Sequence, residues 1–320
     1  MGLLLINLPA ERVPAAHIER IKQLAPQYQI VQTTNISEME PIIDQVEIIM
    51  GNVPQKILER ASNLRWIHSW GAGVEWLSNN PNFISMPFQL TNTSGIHAIQ
   101  ITEHIMAFLL SFARDFPMAI KAQQERTWKP SQRETVFELA GKTMVLVGVG
   151  AIGERTAAVA SAMGMRVLGV RRNANKSTDH IEAMYSNADL LKVLPEADFV
   201  VVTAPLSNET KGMFGAAEFA AMKPSAYIVN IGRGPIIDQD AMISALQNGQ
   251  IAGAGLDVFT PEPLPSDSPL WAMDNVIITA HYAGMTPHYD SRAFEIFAQN
   301  LPRYLAGETL THLVDKEAGY

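Results

Sequence analysis

Residues 143–172 read TMVLVGVGAIGERTAAVASAMGMRVLGVRR, and the order of events inside this stretch decides the fold. An apolar run, TMVLV, leads into Gly148-Val149-Gly150-Ala151-Ile152-Gly153. A helix-forming segment, ERTAAVASAMG, and a second apolar run, MRVLGV, follow. Strand, glycine-rich turn, helix and strand in that order open a parallel βαβ unit. Each glycine of GxGxxG has a separate job. One makes the turn, one lets a pyrophosphate approach the backbone, and one lets the helix pack on the strand, with the anion at the helix N-terminus. The motif alone is a weak signal, and its place between a strand and a helix is what makes it a dinucleotide loop.

The end of the second run refines that reading. An NAD site places a carboxylate there to hold the 2′-hydroxyl of the adenosine ribose. Arg171 and Arg172 stand at that place instead, and Thr178 and Asp179 lie too far on to replace the acid. A carboxylate would repel a 2′-phosphate, whereas guanidinium groups bind one through charge-assisted, often bidentate hydrogen bonds. The sequence therefore predicts NADP(H) as the preferred cofactor. NAD(H) is the alternative if the two charges are simply solvated.

Outward from this unit the pattern continues. Downstream come ADFVVVTAP, AYIVNIG, AGAGLDVF and NVIITAH, short runs bounded by turn residues, as expected for strands covered by helices on both faces. Upstream, LLLIN, YQIVQT, VEIIMG, LRWIHSW and FQLTNT alternate with the helical patterns IERIKQLA and PQKILERA, which favours a second parallel α/β layer. Residues 96–114 carry apolar positions at three- and four-residue spacing and read as a long helix. TWKPSQRETVFELAGK, after it, reads as a surface connection. A chain of 320 residues exceeds one small core. We expect a doubly wound domain over 97–288, flanked by a smaller domain made of 1–96 and 289–320.

Composition narrows the classes of function. A formal charge of −8 and the lack of a basic stripe disfavour nucleic-acid binding. Cysteine is absent, which removes disulfides, thiolate catalysis and Cys-ligated metals, and no metal site is expected. No apolar run is long enough to span a membrane. The first residues, MGLLLINLPAERVP, lack a basic n-region and a small-residue cleavage site, so they read as a buried strand and a cytoplasmic location is expected.

Several ordered motifs together resemble the D-isomer-specific 2-hydroxyacid dehydrogenase family, the group of D-lactate dehydrogenases and glyoxylate or hydroxypyruvate reductases. They are WGAGVEWL, TSGIHAIQITEHIMAFLL, GVGAIG, TAPLSNET, NIGRG, LDVFTPEPL and TAHYAG, and they span nearly the whole chain. The resemblance implies two Rossmann-like doubly wound α/β domains, the cofactor domain inserted into a flavodoxin-like substrate domain. It also implies reduction of 2-oxo acids to (R)-2-hydroxy acids by hydride transfer. Arg233 of NIGRG is then expected to bind the carboxylate and keto oxygen of the substrate, and Glu262 of TPEP to hydrogen-bond His281, the acid/base. Such a trio suits the chemistry. An imidazolium delivers a proton near neutral pH, a neighbouring carboxylate favours that form, and a fixed guanidinium stabilises developing alkoxide charge.

By the same resemblance Ala72 and Gly73 offer backbone N–H groups to the substrate carboxylate. Asp257 holds the nicotinamide carboxamide, and Thr203, Pro205, Thr210 and Ile231 line the cofactor side with Gly148, Gly150, Ala151, Ile152 and Gly153. Asn230 orders the loop that carries Arg233. Ala280 stands where the family usually has proline. Trp66, Trp70 and Trp76 either form core or open a roomy apolar pocket beside the WGAGVEWL loop. The resemblance also implies a homodimer, formed through the 96–114 helix and the segment after it with Trp128 as an anchor, and domain closure with hinges near 93–97 and 285–290. Two alternatives remain within the sequence. One is an NAD(H)-linked or dual-cofactor glyoxylate/hydroxypyruvate reductase, and the other a dinucleotide-sensing, corepressor-like scaffold without turnover.

Overall fold

Successive residues of the TMVLV run point to opposite sides of a sheet, and both sides are buried. Met144 and Leu146 join one apolar cluster, Val145 and Val147 the other. The same division holds in LLLIN, where Leu3 and Leu5 face one cluster and Leu4 and Ile6 the second. Two parallel sheets covered on both faces follow from these patterns. The computed structural model describes residues 2–78, 80–175 and 178–317.

The chain divides into two compact units, Met1–Ile96 with Thr286–Tyr320, and His97–Met285. The second crossing lies at 285/286, earlier than the 288/289 expected from sequence. The turn after Met285 belongs with the helix that follows it, since the Tyr289 backbone N–H donates to Thr286 O and its hydroxyl donates to Trp70 O within the first unit.

The first unit holds five parallel strands, β1 (Gly2–Asn7), β2 (Tyr28–Gln32), β3 (Val46–Gly51), β4 (Trp66–His68) and β5 (Gln89–Thr91), in the order 2-1-3-4-5. That is the flavodoxin-like order. The helix Tyr289–Leu305 returns from the far end of the chain to cover one face, placing Phe294, Phe297 and Leu301 against Trp66 and Met50. Trp66 stacks on Phe297 at 5.0 Å and on Tyr304 at 5.3 Å, and its indole N–H donates to Thr91 Oγ1 at 2.9 Å. Trp70 is also buried, with its N–H on Asp290 Oδ1 at 2.8 Å, and Trp76 packs edge-on against Phe83. Trp66 and Trp70 are core rather than pocket lining, and Trp76 is half-buried against the apolar cluster beside it.

The second unit holds seven parallel strands, β6 (Thr143–Val147), β7 (Arg166–Val170), β8 (Ala183–Tyr185), β9 (Phe199–Val202), β10 (Tyr227–Asn230), β11 (Gly253–Leu256) and β12 (Val276–Ile278). Their order, 12-11-10-9-6-7-8, is the doubly wound dinucleotide-binding order with one extra strand. The topological switch falls between β6 and β9, where such sheets hold ligands at the carboxyl ends of the strands. The helix Ala98–Ala113 lies on one face through Ile101, Ile105, Phe108, Leu109 and Phe112. Phe108 sits so close to β11 that a Cβ on Gly255 would lie 2.7 Å from its ring, which explains a glycine in the middle of a strand.

His68, at the end of β4, lies fully buried between Trp66, Trp70 and Phe297, with Nδ1 2.8 Å from Thr91 Oγ1. Burial penalises its charged form and pushes its pKa down to about 3. The unfolded chain, with an ordinary histidine near 6.5, therefore binds the extra proton between those values. Stability from this residue is complete above pH 6.5 and is lost as pH falls below it, at up to about 1.4 kcal/mol per pH unit. Thermal melting of the wild type and His68→Gln at several pH values checks this. The variant should melt lower at pH 7, with the gap closing towards pH 5, and a constant gap would show that His68 is not held neutral.

Candidate active site

The loop after β6 is shaped by what a side chain would strike. Gly148 has φ +97°, and a Cβ there would lie 2.4 Å from the Ala204 backbone nitrogen, so neither conformation nor space admits another residue. A Cβ on Gly153 would lie 2.7 Å from Gly148 O, so this position seats the helix Ala151–Ala162 against the strand end. Gly150 is different. It is the N-cap of that helix, has an ordinary extended backbone, makes no side-chain cap, and faces open space. A pyrophosphate fits there, on the exposed N–H groups and positive end of a twelve-residue helix. Ala151 is exposed in the first turn, and Ile152 packs half-buried against the apolar cluster below.

Neighbouring strand ends supply the walls. Thr203, after β9, donates its hydroxyl to Gly148 O and so ties two loops together. Thr210 donates to Pro205 O at 2.6 Å and accepts from Ser207 N at 2.8 Å, closing the 205–210 loop on itself. Ile231 is buried, with its N–H on Val202 O. Arg171 follows β7 directly and its N–H bonds Tyr185 O of β8. The Arg172 guanidinium meets Glu209 at 2.9 Å, an exposed pair linking the β7 end to the 205–210 loop.

The turn carrying Arg233 is built from Asn230, whose side chain accepts from Gly232 N and donates to Arg233 O, both at 3.1 Å. Arg233 Nη1 also donates to Gly232 O at 2.8 Å. A Cβ on Gly234 would lie 1.9 Å from Phe259 O, so this turn lies directly on the segment after β11. His97 stands at the N-cap position of the helix Ala98–Ala113 without a side-chain capping bond, and burial, then the Arg233 charge, holds its pKa below the ordinary value.

That neighbouring segment brings Glu262 and His281 together. Glu262 accepts from Phe259 N at 2.9 Å through one oxygen and meets His281 Nδ1 at 2.7 Å through the other. The ring is thereby oriented with Nε2 on its far side, and the imidazole is half exposed. Asp257, 2% exposed, accepts from Thr279 Oγ1 at 2.6 Å and from the N–H groups of Tyr282 and Ala283 at 3.0 Å. Three of roughly four acceptor positions on the carboxylate are filled. Its first task is to hold the turn that carries His281.

In the first unit, the loop after β4 is fastened through its carbonyls. Asn92 Nδ2 donates to Ala72 O at 2.8 Å, the Tyr289 hydroxyl donates to Trp70 O at 2.8 Å, and Asn52 Oδ1 accepts from Ser69 Oγ and Trp70 N. Among the described residues no acceptor meets the N–H groups of Ala72 and Gly73. Sequence reasoning named neither Asn52, Asn92 and Asp290, which fix this loop, nor Thr279 and Glu209 in the second unit. Single polar residues outside motifs give no signal of what they will meet.

A dinucleotide-linked oxidoreductase is the class that this sheet and its loops define, and known proteins agree. The D-isomer specific 2-hydroxyacid dehydrogenase, NAD binding domain, matches residues 106–283. A glyoxylate reductase of Pyrococcus furiosus is 34% identical over 281 residues, covering 85% of this chain and 82% of its own. Glyoxylate/hydroxypyruvate reductase B of Salmonella schwarzengrund is 35% identical over 270 residues, 83% and 82% of the two chains. Among solved structures, a D-isomer specific 2-hydroxyacid dehydrogenase family protein from Aeromonas salmonicida has a TM-score of 0.85 at 33% identity, with 98% and 99% covered. An NADPH-dependent glyoxylate/hydroxypyruvate reductase from Sinorhizobium meliloti, in complex with NADP, has a TM-score of 0.84 at 26% identity with both chains fully covered. The chain belongs to the D-isomer specific 2-hydroxyacid dehydrogenase family, and is an NAD(P)-dependent oxidoreductase.

Two glycine variants separate fold from cofactor binding. Gly148→Ala should lower the melting temperature by roughly 5 °C or more, because the new Cβ meets backbone. Gly150→Val should leave melting nearly unchanged yet raise the Kd for NADPH at least about tenfold, because it fills the space an anion needs. Fluorescence titration with NADPH beside thermal melting reads both, and equal Kd values for Gly150→Val and wild type would remove the phosphate loop from this position.

Proposed function

We propose that this enzyme reduces 2-oxo acids to (R)-2-hydroxy acids and prefers NADP(H). The observation that carries the reading is the Glu262 carboxylate, held by Phe259 N–H on one oxygen and by His281 Nδ1 on the other. A bound reduced nicotinamide supplies the hydride. His281 holds the proton on Nε2 and delivers it to the oxygen of the carbonyl being reduced, while Glu262 orients the ring and balances its charge. Arg233 supplies fixed positive charge to the substrate's carboxylate and keto oxygen. Ala72 and Gly73 offer N–H groups to the substrate carboxylate. Asp257, with an acceptor position remaining, takes the amide of the nicotinamide.

The cofactor preference rests on Arg171 and Arg172 at the end of β7, where a 2′-phosphate is recognised. Arg172 is steadied by Glu209, and the Sinorhizobium relative is NADPH-dependent. We further propose a homodimer through the second unit, where Leu110, Phe116, Ile120 and Trp128 are exposed, Trp128 at 99%. Sedimentation of the wild type should give twice the chain mass, and Trp128→Glu should shift it towards one.

Initial rates with NADPH and NADH, side by side on glyoxylate, hydroxypyruvate, pyruvate, phenylpyruvate and branched 2-oxo acids, test the function. NADPH should be favoured at least about tenfold, and Arg171→Asp should weaken NADPH far more than NADH. Equal loss with both cofactors would make the arginines surface charge. His281→Ala should lower kcat by about 10²- to 10⁴-fold while NADPH still binds. Cofactor binding without turnover on any substrate would favour the scaffold reading.

A further inference from the structure

The acid/base histidine assigned above does not sit on a regular element. β12 ends at Ile278, and His281 lies in the turn beyond it with φ +53°, in the left-handed region. A residue with a Cβ is uncommon there, and it stays there only when its surroundings over-determine the backbone. Those surroundings come from Asp257. Its carbonyl accepts from His281 N at 2.9 Å, and its carboxylate accepts from Thr279 before the histidine and from Tyr282 and Ala283 after it.

A second histidine completes this arrangement from another layer. His104, on the helix Ala98–Ala113, places Nε2 3.0 Å from Thr279 Oγ1. Its ring is fixed edge-on between Phe108 at 4.8 Å and Tyr282 at 5.5 Å. The proton order along the chain of contacts is determined. Thr279 has a single hydroxyl proton, and at 2.6 Å it goes to Asp257 Oδ1, which can only accept. The threonine oxygen must then accept from His104, so His104 carries its proton on Nε2. Burial holds the pKa of His104 below the ordinary value, opposed by the Asp257 charge. The neutral ring has one N–H, and this contact fixes which nitrogen bears it.

We infer that His104 is a positioning residue for the reduction, acting through Thr279 and Asp257 to hold the His281 turn in its left-handed conformation. The chain of donors runs from His104 Nε2–H to Thr279 Oγ1, from Thr279 Oγ1–H to Asp257, and from the Tyr282 and Ala283 amides to the same carboxylate. Without the first donor the threonine hydroxyl loses its orienting partner and is no longer held with its proton on Asp257. The carboxylate then loosens from one side of the turn. His104 touches no reacting atom in this scheme, and its effect reaches the chemistry through Asp257, which holds the direction in which His281 points. The inference rests on the acid/base reading of His281.

The test compares His104→Leu, His104→Gln, Thr279→Val and His281→Ala in the full-length enzyme. Gln can donate from nearly the same place, and Leu fills similar space without a donor. His104→Leu and Thr279→Val should lower kcat on the order of tenfold, the scale of one lost buried hydrogen bond, with KM and the Kd for NADPH little changed. His104→Gln should recover most of the lost kcat. Hydrogen exchange supplies a readout besides turnover, since the Tyr282 and Ala283 amides should exchange faster in His104→Leu than in His104→Gln. Unchanged kcat and unchanged exchange in His104→Leu, with His281→Ala still inactive, would overturn the positioning role alone. Near-normal turnover by His281→Ala would overturn the acid/base reading beneath it. Equal losses in the Leu and Gln variants would reduce His104 to packing.

Discussion

Everything at the carboxyl edge of the larger sheet depends on backbone meeting backbone with no side chain between. Gly148 abuts Ala204, Gly232 lies under Ala204 O, and Gly234 lies on Phe259 O. These approaches draw the loops after β6, β9, β10 and β11 together, so that four separate strand ends act as one surface. A methyl group at Gly148, Gly232 or Gly234 would force two loops apart. The hydrogen bonds then lock what the close approach allows. Thr203 joins the β6 and β9 loops, Asn230 closes the Arg233 turn, and Glu262 joins the segment after β11 to His281.

Within each unit, the loops at the strand ends divide between open backbone and the side chains that fasten it. Gly150, Ala72 and Gly73 present backbone and little else. Their carbonyls and flanks are fastened by Asn92, Asn52 and Tyr289 in one unit and by Thr203 in the other. Asp257 belongs to the fastening side chains, because most of its carboxylate is already engaged inside the protein.

What could be read from sequence follows the same division. The β strands with continuous apolar runs, the glycine loop and the ordered motifs were legible, because burial on two faces and backbone approach each demand particular residues locally. β8 was not, since an edge strand of Ala183–Tyr185 is only half-buried and carries no apolar run. The tryptophans stayed ambiguous because Phe297 and Tyr304, which stack on Trp66, arrive from the other end of the chain. His104 meets Thr279 across 175 positions, and Trp70 meets Asp290 across 220. No local pattern encodes such partners, because tertiary approach alone selects them.

The split of the first unit between both ends of the chain has a consequence for synthesis. The stretch His97–Met285 contains all the strands of its sheet and both apolar layers over them, so it can close as soon as it emerges. The five strands of the first unit are made before it, but one face has only Val13, Ile21 and Ala25 over it until Phe294, Phe297 and Leu301 are translated. Even the edge at Thr91 waits for its bridge to Leu313. The portion born first is therefore completed last, and its exposed apolar face, with Trp66 at its centre, is where a growing chain is most open to chaperones or to aggregation.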